Sequence, residues 1–314
     1  MTDHSTELTT PAGGPAARRD SDTDGSGEKE RSASLWADAR RELYRNPIFV
    51  VSSLLVLAVI SMAAFPTLWT DANPERCPLT NALEGPSDGH VFGTTVQGCD
   101  MYAHVIYGSR PSIIIAVFVT AAVSVVGAAT GIVAGFYGGW VDTILSRITD
   151  VFLGIPFLLG ALTFLVLLSG NQNIWTISLV LIVLSWTYTM RIMRGSVIAV
   201  KSQDYVEAAR ALGASNLSII FRHILPNAIA PVIVLATLYL GSFVSAEATL
   251  TFLGVGLQIP EISWGITIAE GQLIAVSQEL PHLLVFPCTA VVITVLSFVL
   301  MGDALRDALD PKGR

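Results

Sequence analysis

Six apolar runs divide this chain: Ile48–Phe65, Pro111–Phe136, Ile148–Ser169, Ile174–Met190, Ala228–Ala246 and Leu283–Met301. A helix crosses a bilayer core in about 20 residues, with roughly 17 to 25 tolerated. Backbone inside lipid must satisfy its own N–H and C=O groups, so runs of this length and apolarity fold as helices. Composition agrees, with 52% hydrophobic and 14% charged residues, where soluble domains carry about 25% charged residues. The mean hydropathy is +0.61. The expected fold is an all-α polytopic membrane protein with six transmembrane helices.

Lys and Arg orient those helices. With the N-terminus inside, sixteen of the eighteen basic residues fall on the inner side, and only Arg76 and Arg110 lie outside. This is the asymmetry of the positive-inside rule. Both termini and residues 204–227 are then expected on the cytoplasmic side of a plasma or inner membrane. The first apolar run starts too late for a cleavable signal peptide, so insertion as a signal anchor is the simpler expectation. The formal charge of −7 carries little information in a membrane chain, and no nucleic-acid partner is expected.

The expected organisation follows the runs. Residues 1–34 are polar and poor in large apolar side chains, the composition of a disordered tail. In residues 35–46, Leu35, Trp36, Leu43 and Tyr44 alternate with Arg40, Arg41 and Arg45, a pattern suited to a short interfacial helix. The first span (47–65), an extracytoplasmic loop (66–110), a core of five further spans (111–305) and a tail (306–314) complete the chain.

Between the fourth and fifth runs lies a polar stretch, Asp204–Asn227. Asp204 with Glu207 three positions on has the form of an N-cap and its reciprocal carboxylate, which predicts a helix from Tyr205. Gly213 ends it, Ser215 can open a second short helix, and Pro226 marks where that one turns. A helix of two turns is marginal in water without a surface to pack on. Tyr205, Ala208, Ala209 and Leu212 share one apolar, mostly small face, while Glu207 and Arg210 complement the helix dipole. Two readings fit: a docking surface for another polypeptide, or a loop packed on its own membrane domain.

Other residues carry less. Gly127, Gly131 and Gly135 form a small-residue stripe in the second run, suited to close helix packing, with a subunit interface or pore as the lesser alternative. Ionisable residues near spans are default functional candidates. Asp150 at the edge of the third run and Glu247 at the outer end of the fifth are therefore gate or translocation-path candidates, and Glu247 equally suits a helix cap. None lies at a span centre, which leaves an ion-coupled carrier little to work with. Cys77 and Cys99 can close a loop of about 20 residues, worth roughly 3 kcal/mol in the chain-entropy model. Spacing does not dictate that their Cα atoms come within the required distance. Cys288 reads as a buried apolar residue. No metal-ligand spacing, no catalytic constellation and no G-x-x-x-x-G-K-[ST] phosphate loop occur, so no metal, cofactor or ATP is expected on this chain.

Glu207-Ala208-Ala209, then Gly213, then Leu225-Pro226 resembles the EAA motif of permease subunits from ATP-binding-cassette importers. His223 stands where isoleucine is usual, and Arg222–Asn227 resembles the dipeptide and oligopeptide branch. His90, Phe92, Gly93, Thr94, Gly98, Asp100, Tyr107, Gly108 and Arg110 match a further pattern of that branch, with Cys99 at a commonly basic position. Glu247, Thr251–Gly254, Pro260 and Ser263–Gly265 resemble its AES-type segment, and Gly302–Pro311 its ending.

The resemblance implies a type I importer fold in which Tyr205, Glu207, Ala208, Ala209, Arg210, Leu212 and Gly213 form a cytoplasmic coupling helix. Residues 35–46 would be an elbow helix. The implied partners are a homologous second permease, two ATP-binding subunits holding ATP and Mg, an extracytoplasmic peptide-binding protein and the bilayer. Dipeptides or oligopeptides are the implied cargo. Nickel, haem or glutathione remain alternatives, as does an ATPase-independent secondary transporter or channel.

Overall fold

The computed structural model describes residues 42–309 apart from 169 and 171. The expected tail at 1–34, most of the expected elbow helix and residues 310–314 lie outside them. Among the described residues the regular structure is helical, with two isolated β-bridges in the loop after the first helix. Five helices are long and apolar enough to cross a bilayer: α1 (Pro47–Ala64), α2 (Met101–Tyr137), α5 (Ile174–Lys201), α9 (Ala230–Phe252) and α11 (His282–Leu309). The third expected span is a pair, α3 (Gly139–Leu153) and α4 (Phe157–Leu167), bent by 84°. Among the described residues the spans therefore number five, or six if that pair is one broken crossing. The bend falls at Gly154-Ile155-Pro156, where Ile155 N turns to the i−3 carbonyl of Phe152 and Pro156, without an N–H, ends the hydrogen-bond ladder.

The second span departs from expectation at its start. Pro111 was the expected first residue, but α2 begins at Met101 and carries Pro111 inside it. Asp100 caps the true start, accepting a hydrogen bond from Ala103 N at 2.8 Å. The 37 residues of α2 extend about 55 Å at 1.5 Å per residue, well beyond a bilayer core. Residues 101–110 of the expected external loop are therefore helix.

Those first turns anchor a folded cap made by residues 66–100. Phe92 stacks on Phe286 of α11 at 4.0 Å and meets Tyr102 edge-on at 5.1 Å. His90 Nδ1 lies 2.8 Å from Asp100 Oδ2, and Cys77 and Cys99 are joined by a disulfide. At the other end of α2, the Lys201 ammonium donates to the Phe136 carbonyl. The segment after α5 thus sits at the end of the bundle opposite the cap.

The glycine stripe lies where α2 crosses α5. A Cβ at Gly127 would lie 2.5 Å from Thr189 Cβ, one at Gly131 2.6 Å from the Met190 carbonyl oxygen, and one at Gly135 2.9 Å from Val197 Cβ. Only glycine permits that approach. The main apolar core gathers Ile115, Val119, Leu165, Leu181, Val244 and Phe298 from five helices, and a second cluster sits at the α5 end.

Candidate functional site

The segment after α5 folds as α6 (Asp204–Ala211), α7 (Asn216–Ile219), a π-turn (Ile220–Ile224) and α8 (Leu225–Ala228). Its start corrects the sequence reading. Gln203, with an extended backbone, is the N-cap, and no side chain caps the helix. Asp204 therefore becomes the first helical residue, and the expected Asp204–Glu207 capping box does not form. Both carboxylates stay in the first turn, where the helix dipole favours them.

The C-terminus closes in a Schellman motif. Gly213, at φ +81°, donates its N–H to Arg210 O at 3.0 Å, and Ala214 N donates to Ala209 O at 3.1 Å. These two bonds satisfy carbonyls a helix end otherwise leaves open. Ser215 then caps α7 by accepting from Ser218 N at 3.3 Å. Pro226 does not turn the chain sharply as expected. The π-turn instead carries it into the next helical segment, with Leu225 N bonded to Ile220 O and Asn227 Nδ2 donating to His223 O at 2.7 Å.

Burial divides α6 in two. Val206 is fully buried, packed in a cluster with Met193, Val197, Ile219, Ile220 and Ile224. Tyr205 is 44% and Leu212 88% exposed, with Ala208 also on the surface and Ala209 half-buried. Glu207, Arg210 and Gly213 are exposed, and Glu207 and Arg210 form no ion pair with each other. Leu217 and Phe221, 65% and 62% exposed, lie nearby in sequence one helical turn apart and widen the apolar surface. Sequence reading missed both. Their i, i+4 spacing was the available signal, obscured by the buried Ile219 and Ile220 between them. An apolar surface of this kind outside the spans is a mark of a docking site.

The last turns of α5 tie this surface to the bundle. Arg194 pairs with Asp142 of α3 through Nε to Oδ1 and Nη2 to Oδ2, the latter at 2.6 Å. Arg191 pairs with Asp150, which Arg147 also approaches at 3.5 Å. Asp150, a gate candidate from sequence, is thus part of an ion-pair cluster joining α3 and α5. Asp142 was not singled out from sequence, although its i, i+8 relation to Asp150 on one helix was visible.

Glu247, the other gate candidate, sits toward the cap end and is fully buried. Its carboxylate accepts from Ser112 Oγ of α2 at 2.6 Å and from Thr251 Oγ1 at 3.0 Å. Thr251 Oγ1 in turn accepts from Leu257 N at 3.1 Å. Beside it, Trp264, at the start of α10 (Trp264–Ser277), donates Nε1–H to Val105 O at 2.8 Å. The AES-like segment therefore locks α2, α9 and α10 together from inside. A cavity of about 440 Å³ opens elsewhere, lined by Phe157, Tyr188, Tyr239, Ser242 and Phe243 among others. Neither Asp150 nor Glu247 lines it.

Comparison with known proteins adds to this geometry. Residues 127–314 match the family model described as binding-protein-dependent transport system inner membrane component. Residues 34–86 match the N-terminal TM domain of oligopeptide transport permease C. A dipeptide transport system permease protein of Alkalihalophilus pseudofirmus is 34% identical, over 90% of this chain and 91% of that protein. An oligopeptide transport system permease protein of Bacillus subtilis is 36% identical over 91% and 92%. A glutathione transport system permease protein of Pectobacterium atrosepticum is 34% identical over 88% and 91%.

Proposed function

The chain belongs to the binding-protein-dependent transport system inner membrane component family, and from that membership we propose that it carries dipeptides or oligopeptides across the membrane. It is a multi-pass permease subunit of an ABC importer and not itself an enzyme. In the proposed assembly a second permease completes the path, an external binding protein delivers peptide, and two ATPase subunits holding ATP and Mg drive the cycle. Residues 204–227 and both termini face the cytoplasm, and the bent α3–α4 pair is the third of six crossings.

One observation carries the reading: α6 turns Val206 inward while holding Tyr205, Ala208 and Leu212 outward. A two-turn helix anchored on one side and apolar on the other is suited to seat in a cleft of an ATPase. Closure of the ATPases on ATP would move it as a rigid lever. The Lys201, Arg194 and Arg191 contacts then pass that movement to α2 and α3. The Glu247 cluster supports a rigid outer block against which the path opens.

Reconstituted complexes test this. Peptide uptake should require ATP and the binding protein, and excess glutathione should not compete. Uptake independent of any ATPase would overturn the reading, whereas glutathione as the better cargo would change only the substrate.

A further inference from the structure

The cap holds a cluster of metal-ligating side chains that transport leaves unused. Cys77, Cys99 and His104 each offer a ligand atom, and those atoms lie within 4.8 Å of one another. Sequence spacing gave no such expectation, because Cys77 reaches the other two only through the folded loop. The two sulfurs are bonded here, and it is the thiolate that ligates metals.

Contacts other than the disulfide hold the cluster together. Gly98 packs so closely that a Cβ there would lie 2.3 Å from the Pro78 carbonyl oxygen, which fixes the Cys99 turn against the strand of chain following Cys77. Cys99 N donates to Thr95 Oγ1 at 3.1 Å, and Leu83 N to Thr95 O at 3.2 Å. His104 stands in the first turn of α2, its Nε2 3.1 Å from the carbonyl of Pro74, three residues before Cys77. A cavity of about 310 Å³ borders all three residues and is lined also by Glu75, Glu261 and Glu270. Burial of Glu270 raises its carboxyl above the ordinary range, partly offset by a hydrogen bond from Gln97.

We propose that reduction of the Cys77–Cys99 disulfide converts this cluster into a site for a soft d10 cation of the zinc type, held by two thiolates and the His104 imidazole. A thiol reductant supplies the two electrons and leaves as its own disulfide. The S–S bond breaks, each sulfur takes a proton, and the entering cation displaces those protons. Zinc accepts sulfur and imidazole ligands in a tetrahedral set, and water or a carboxylate of the cavity completes the fourth position. The bond to the Pro74 carbonyl fixes the imidazole ring, as partners of metal-bound histidines do.

The full chain carrying Cys288→Ala, in lipid nanodiscs, provides the test, with zinc as the probe and a phosphine as reductant. Reduced protein should take up one zinc per chain and oxidised protein none, measured by competition with a chromophoric chelator. His104→Ala should weaken uptake by about tenfold or more, and Cys77→Ser with Cys99→Ser should abolish it. Intact-mass detection of the disulfide in oxidised His104→Ala protein shows that the cap still folds. Zinc uptake equal in the two redox states, absent from both, or unaffected by His104→Ala would overturn the proposal.

Discussion

Tyr205 and Val206 are neighbours in the chain with opposite environments, 44% exposed against fully buried. Val206→Asp would bury an unpaired carboxylate, a loss of roughly 3 kcal/mol or more, and should deplete the protein from membranes or lower its melting midpoint. Tyr205→Ala should leave that midpoint unchanged while reducing transport. Gly131→Val forces a Cβ to within 2.6 Å of the Met190 carbonyl oxygen. Overpacking of that kind costs about 1–3 kcal/mol, and thermal unfolding in detergent should report it. Three glycines at four-residue spacing made a close helix approach legible, but the partner, α5 at Thr189, Met190 and Val197, was not. The environment of Glu247 was not legible, since Ser112, its partner at 2.6 Å, is 135 residues away. Glu247→Leu removes the carboxylate that accepts from the buried Ser112 and Thr251 hydroxyls, at about 1–3 kcal/mol for each donor deprived of it, and should lower the melting midpoint more than Glu247→Gln.

At the scale of the element, the proposed lever role of α6 requires both its ends to be fixed. Gly213 at φ +81° is incompatible with the proline φ near −65°. Gly213→Pro should therefore abolish uptake while membrane abundance stays at the parental level, as should Glu207→Lys; normal uptake by either variant would argue against the lever. Leu217→Glu and Phe221→Glu test the wider apolar surface. A central interface residue contributes about 2 kcal/mol, roughly 30-fold in affinity, so each should weaken ATPase binding to about that extent. The end of α6 could be read from Gly213, but its beginning could not. N-cap preference favours Asp204 over Gln203, so the start at Gln203, which has no side-chain cap, runs against local propensity. The start of α2 was missed for a related reason. Pro111 marks an apolar boundary, yet a buried helix tolerates one missing donor when Asp100 caps it eleven residues earlier.

Across the whole molecule, two ends are joined by helices that run between them. The cap end is closed by the Cys77–Cys99 bridge, the Phe92–Phe286 stack and the Glu247 cluster. The opposite end is held by Lys201, Arg194 and Arg191 against α2 and α3. Hydropathy made the number of runs visible, but the 84° bend falls at Gly154-Ile155-Pro156, inside a run that hydropathy reads as continuous. The central claim is that the outward face of α6 meets an ATPase inside the cell. A single cysteine at Ala208, in a chain otherwise lacking free thiols, offers the direct measurement. With a matched cysteine in the ATPase cleft it should cross-link to that subunit, with a yield that changes on ATP binding, and it should resist membrane-impermeant reagents added outside intact cells. Labelling from outside, or no cross-link in any nucleotide state, would contradict the account.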